Sequence, residues 1–141
     1  MARAGADEEG MALLRTEHRK ITRQLELLAG STRPGADPAA LKRISADLGS
    51  LLEKNLTNEK QILYGPLKEK LQRDKLVASM VEAQGAIRRE FKDLSPALAK
   101  YETGVGEIQD LRSRVASLQK LTADYIRKEE KIVFWYAELH L

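Results

Sequence analysis

The chain has 141 residues, 43% hydrophobic and 32% charged, with a net charge of +3 and an isoelectric point near 9.2. That is enough for one core, too apolar for a disordered polymer, and only mildly basic. The absence of cysteine excludes disulfides, zinc knuckles, iron–sulfur ligation and thiol catalysis, and two histidines, His18 and His140, exclude any site built on several imidazoles. Acids and bases are interleaved as on solvated helix faces, with no basic block longer than pairs such as Lys42-Arg43 and Arg88-Arg89, so nucleic acid is not expected as a partner. No run approaches the roughly 18 apolar residues of a membrane span, and no apolar leader opens the chain, so the expected location is the cytoplasm, with no membrane partner.

In chain order, Met1 to Glu9 reads as a loose leader, with the first helix starting near Asp7 and running to Leu28. Its apolar residues Met11, Leu14, Ile21, Leu25 and Leu28 recur three or four apart, and Gly30-Ser31 with Arg33-Pro34-Gly35 ends it. Asp37 caps a second helix that has Pro38 at its first position and the stripe Leu41, Ile44, Leu48, Leu51 and Ile62. Gly65-Pro66 falls near its end as a kink or break. Asp74 caps the third helix, with Val77, Met80, Ile87, Phe91 and Leu94 inward, until Ser95-Pro96 interrupts it. Residues 97–104 read as a short helical or irregular connection. The last helix starts near Gly104–Gly106 and turns Ile108, Leu111, Val115, Leu118, Ile132 and Tyr136 to one face. No segment has the period of a strand. The expected fold is all-α: one domain over residues 1–141, an antiparallel up-and-down four-helix bundle.

The chain also reads as a duplication of helix pairs. Setting His18 against Gln84 aligns Leu14 with Met80, Ile21 with Ile87 and Leu25 with Phe91. Setting Asn55 against Tyr125 aligns Glu59 with Glu129 and Ile62 with Ile132.

Each stripe is broken by polar residues. His18 stands where the first helix should carry a core aliphatic. Asn55 and Glu59 fall inward on the second helix, Gln84 on the third, and Tyr125 and Glu129 on the fourth. Asn55–Glu59 and Tyr125–Glu129 are each one turn apart, on one face. Two inward carboxylates must be protonated, paired with a base or bound to a cation, and no Lys or Arg lies on the stripes. Oxygen donors with one imidazole suit iron or manganese better than zinc or copper. The alternative is a metal-free hydrogen-bonded network with a protonated His18 between the carboxylates. His140, beside the C-terminus, reads as solvated rather than as a ligand. Phe134-Trp135-Tyr136 reads as closing one end of the bundle, with Trp135, if exposed, marking a partner surface.

Three segments carry a resemblance: Glu17-His18-x-x-Ile21, Glu59-Lys60-Gln61-Ile62-Leu63-Tyr64-Gly65-Pro66-Leu67, and Ile126-Arg127-Lys128-Glu129-Glu130-Lys131-Ile132-Val133-Phe134. In their order and spacing, from about residue 10 onward, the chain resembles the hemerythrin-like (HHE cation-binding) family. The resemblance implies a four-helix bundle with a non-haem di-iron centre, a histidine matched by His18, and bridging carboxylates matched by Glu59 and Glu129. Three histidine positions of the family pattern hold Asn55, Gln84 and Tyr125 instead, and a second histidine on the third helix, at Met80 or within Gly85–Arg88, is absent. Reversible oxygen carriage is therefore not expected. The candidate metal ligands are His18, Glu59, Tyr125 (as a phenolate) and Glu129, with Asn55 and Gln84 as weak amide donors. Three functions stay open. The first is an iron- or manganese-binding protein acting in metal binding, sensing or oxygen-related chemistry. The second is a metal-free module that binds a protein or a small ligand, as a homodimer or with another partner. The third is an enzyme that uses Glu59 or Glu129 as acid or base on an organic substrate, with Ala83, Gly85 and Ala86 leaving room beside Gln84.

Overall fold

The computed structural model describes residues 8–141, and among them every regular element is helical. The start of the first helix near Asp7 and most of the leader, residues 1–7, lie outside the described residues. Glu8 and Glu9, expected in the leader, already form the first turn of α1 (Glu8–Ser31). Two acids suit that end, where unpaired amide groups leave partial positive charge.

The helix α1 runs three residues beyond the expected stop at Leu28. Gly30 is accommodated inside it, Ser31 Oγ donates back to the Leu27 carbonyl, and the turn follows at Thr32. The cap expected at Asp37 is present: its carboxylate accepts from the Ala39 amide at 3.1 Å, with Pro38 opening α2 (Pro38–Glu59). The chain does not break at Gly65-Pro66. Lys60–Tyr64 forms one π-helical turn, and α3 (Gly65–Lys70) carries straight on. Pro66 directly follows the π turn, where the i→i−4 ladder is already shifted and its missing N–H is tolerated inside a continuing helix. Arg73 takes a left-handed conformation in the following turn, with φ 67°.

Asp74 caps α4 (Lys75–Lys92) by accepting from the Val77 amide at 3.0 Å, as the sequence implied. Ser95-Pro96 does not interrupt a helix but lies in the first turn of α5 (Leu94–Glu102), after a bend at Asp93. Gly104, with φ 78°, makes the last turn before α6 (Ile108–Lys128). A second π-helical turn, Glu129–Val133, links α6 to α7 (Phe134–His140).

These pieces make an antiparallel up-and-down four-helix bundle from four rods: α1, α2 with α3, α4 with α5, and α6 with α7. The helix α1 packs on α2 and α6, while α6 also packs on α4 and α5. Fully buried Leu14, Ile21, Leu28, Leu41, Leu48, Leu63, Leu67, Met80, Ile87 and Leu118 fill the centre. No helix among the described residues is long and apolar enough to cross a membrane.

The two π turns correct the stripes read from sequence. A π turn holds one more residue than an α turn, so every later side chain rotates. Ile62 is only half-buried and Ile132 is 45% exposed, although both were expected inward. Their places are taken by Leu63, Tyr64 and Leu67 in one half and by Val133, Phe134 and Ala137 in the other. Tyr136 is likewise half-buried and packs at the rim, donating its hydroxyl to Asp74. Upstream, Leu52 and Leu56 are buried where Ile44 and Leu51 had been drawn, and these two are half-buried.

Candidate metal centre

Four rods each bring polar side chains to one level of the core. From α1, His18 enters with 1% exposure; from α2, Glu59 is fully buried; Gln84 comes from α4 and Tyr125 from α6; Glu129, also fully buried, opens the second π turn. Glu59 and Glu129 lie at corresponding points of the two halves, each at the boundary of its π turn.

The imidazole of His18 is the hub. Nε2 lies 2.9 Å from Glu59 Oε2 and 2.9 Å from Glu129 Oε1, and Nδ1 lies 2.6 Å from Glu130 Oε2. Glu59 Oε1 accepts from Gln84 Nε2 at 3.0 Å. The Tyr125 hydroxyl stands 2.7 Å from Glu59 Oε1 and 2.8 Å from Glu129 Oε2; with a single proton it donates to one of them at a time. Tyr64, which the stripes had not marked, donates to Glu129 Oε2 at 2.5 Å and lies 3.2 Å from the Tyr125 oxygen. Phe134 stacks on His18 with centroids 6.2 Å apart, and the Arg15 guanidinium lies over the Phe134 ring, 4.9 Å from its centroid.

Asn55 does not join this group. It turns to α1 and donates from Nδ2 to Glu17 Oε1 at 2.9 Å, while Asn58 donates to Glu17 Oε2 at 2.6 Å. Glu17 is thus a third buried carboxylate, outside the centre and satisfied by two amides. His140 is half-buried at the far end, edge-on to Tyr136 with centroids 4.5 Å apart.

Tyr64, Glu130 and Phe134 were missed because all three follow or lie within a π turn, where a period of 3.6 misplaces side chains. Glu17 and Asn58 sit beside the stripes. The one signal for them in the sequence is three amide or acid side chains facing across two adjacent helices.

Electrostatics follow from burial and crowding. Burial works against a charged His18, but the hydrogen bonds and charges of Glu129 and Glu59 outweigh it and push its pKa up to about 10. Burial and the adjacent Glu129 raise Glu59 to about 8. Burial would raise Glu129 too, yet the imidazolium 2.9 Å away and the proton kept by Glu59 hold it below the usual carboxylate range. Burial and the two carboxylates raise both Tyr64 and Tyr125, so both phenols keep their protons.

One atom is left over. Glu129 Oε1 is buried and has no hydrogen-bond donor among the described residues. It is close to His18 Nε2, but that nitrogen carries one N–H, which is aimed at Glu59. One imidazole nitrogen and two carboxylate oxygens therefore converge, with ligand atoms of His18, Glu59 and Glu129 all within 4.8 Å of one another. Without metal, only the imidazolium charge and the proton kept by Glu59 compensate the Glu129 oxygen, and a cation at the same point would take over from both. The donor set, two carboxylates and an imidazole, fits a hard divalent or trivalent ion.

Fold and centre together define a class: helical bundles whose core holds a histidine–carboxylate cluster suited to a cation. The model of the hemerythrin HHE cation-binding domain matches residues 9–137, and the chain belongs to that family. No curated protein and no solved structure gives a significant match to it.

Proposed function

We propose that this protein is a non-haem iron or manganese binder, one hemerythrin-like domain in which His18 Nε2, Glu59 and Glu129 hold a single cation in the bundle core. The observation that carries this reading is the buried, donorless Glu129 Oε1 beside an imidazole nitrogen and a second carboxylate. One ion rather than two follows from the substitutions at the family's histidine positions. Asn55 is engaged with Glu17, and Gln84 and Tyr125 hydrogen-bond to the carboxylates. When bound, the ion would supply Lewis acidity and, for iron or manganese, one-electron redox chemistry.

The protein's own groups orient one another. Gln84 and Tyr125 fix Glu59, Tyr64 fixes Glu129, and Phe134, with Arg15 over its ring, stacks on His18. In this reading Tyr125 is a donor to the ligating carboxylates rather than a ligand. Sensing or oxygen-related chemistry would rest on that bound ion.

Titration of metal-free protein with Mn2+ tests the reading. Binding should saturate at one equivalent and be lost in Glu129→Gln and His18→Ala. Equal binding by wild type and both variants would refute it. A second reading, a metal-free module, draws on the density of hydrogen bonds already satisfying the other three carboxylate oxygens. Wild-type protein that takes up no Mn2+ or Fe2+ would favour it.

A further inference from the structure

Glu130 approaches the centre from behind. Its Oε2 lies 2.6 Å from His18 Nδ1, on the side of the ring opposite the nitrogen that meets Glu59 and Glu129. Consecutive residues of an α-helix point about 100° apart, and so rarely reach one small ring. Here Glu129 and Glu130 do reach one ring, the first at Nε2 and the second at Nδ1, where the chain enters the second π turn. The two ends of the imidazole are thereby held by neighbouring residues on one helix, while Phe134, five residues further along, stacks on its face. The Glu130 side chain is 33% exposed, unlike Glu59 and Glu129, so it is placed to hold the ring without being one of the buried converging ligands.

We propose that Glu130 is the positioning residue of the cation site: its carboxylate accepts the Nδ1 proton of His18, fixing the ring and leaving the Nε2 lone pair for the cation. A histidine ligand commonly donates its second N–H to such an acceptor, which sets the tautomer and the aim of the ring. Nothing else among the described residues is placed within hydrogen-bond distance of Nδ1. Without Glu130 the ring can present either nitrogen or tilt out of line with the two carboxylates. This inference rests on the cation-binding reading above.

The test compares wild type, Glu130→Leu and Glu130→Gln. Mn2+ affinity is measured by competition with a chelating dye, and the imidazole nitrogens are followed by 15N NMR with Zn2+ as a diamagnetic probe. With only two histidines in the chain, His140→Gln assigns the spectrum. Glu130→Leu should weaken Mn2+ binding by about 10–100-fold, the usual cost of removing such a partner. Glu130→Gln, whose amide oxygen still accepts from Nδ1, should recover most of it, and wild type should show the Nδ1–H tautomer. If Glu130→Leu does not fold, Glu130→Ala replaces it in the same comparison. Unchanged affinity in the truncated variant, or a glutamine variant as weak as the leucine one, would overturn the inference while leaving the cation site standing; an Nε2–H tautomer in the Zn2+-loaded protein would overturn both the inference and ligation through Nε2. Wild type that binds neither ion removes the site and the inference together.

Discussion

Tyr125 has one proton and two carboxylates to serve, and that shortage defines its role. Without metal the phenol stays protonated, because burial and both acids raise its pKa. Replacing it by Phe leaves Glu59 with only Gln84 on Oε1 and leaves Glu129 dependent on Tyr64. In metal-free protein Tyr125→Phe should therefore cost about 1–3 kcal/mol, read from denaturant unfolding. Iron-loaded wild type should show no phenolate charge-transfer band. A purple-to-red band that vanishes in Tyr125→Phe would instead make the phenolate a ligand. At this scale the polar layer was legible: His18, Gln84 and Tyr125 each stand at an aliphatic position of an otherwise regular stripe, and such an interruption shows in the sequence. Asn55 was legible as buried but not as directed to Glu17, because a stripe fixes which face a side chain takes and not which partner it finds there.

At the scale of elements, the two π turns decide where the site is and why part of it was hidden. The first half advertises its turn through Gly65-Pro66. A side chain at Gly65 would put Cβ 2.7 Å from the Lys60 carbonyl oxygen, the group that accepts the Gly65 amide across the π turn. Alanine is normally better than glycine in a helix by about 1 kcal/mol. Here the contact is with backbone, which cannot swing aside, so Gly65→Ala should instead destabilise by about 1–3 kcal/mol in thermal unfolding. Stabilisation by alanine would mean that the π turn is not held as described. The second half carries no glycine or proline at its turn, and nothing in Glu129–Val133 distinguishes it from ordinary helix. That is why Ile132 and Tyr136 were drawn inward while Val133 and Phe134 took the core. The caps at Asp37 and Asp74, by contrast, were readable because one side chain and the next few amides make the whole interaction.

For the whole molecule, burying three acidic or imidazole groups together couples stability to pH. His18 moves from 6.5 to about 10 and Glu59 from 4.5 to about 8 on folding without metal, so the folded state holds protons that the unfolded chain has released. Their contribution is complete below the unfolded values and is lost as pH rises through the folded ones. Glu129 is lowered, so its contribution exists above its ordinary value and disappears in acid. Metal-free protein should accordingly lose melting temperature from about pH 4.5 upward, first through Glu59 and then through His18 toward about pH 10, and lose it again in more acid solution through Glu129. Cation affinity should rise over the alkaline range in which apo stability falls, because ligation requires His18 and Glu59 to give up those protons. A melting temperature flat from neutrality to about pH 10 would mean that the three groups do not share a buried site. The measurement that bears most directly on the central claim is elemental analysis of protein purified without added metal, beside the Glu59→Gln/Glu129→Gln double variant. About one equivalent of iron or manganese in the wild type and none in the folded double variant is the result expected of a hard-donor site; wild type free of both metals, or a double variant that retains them, would contradict it.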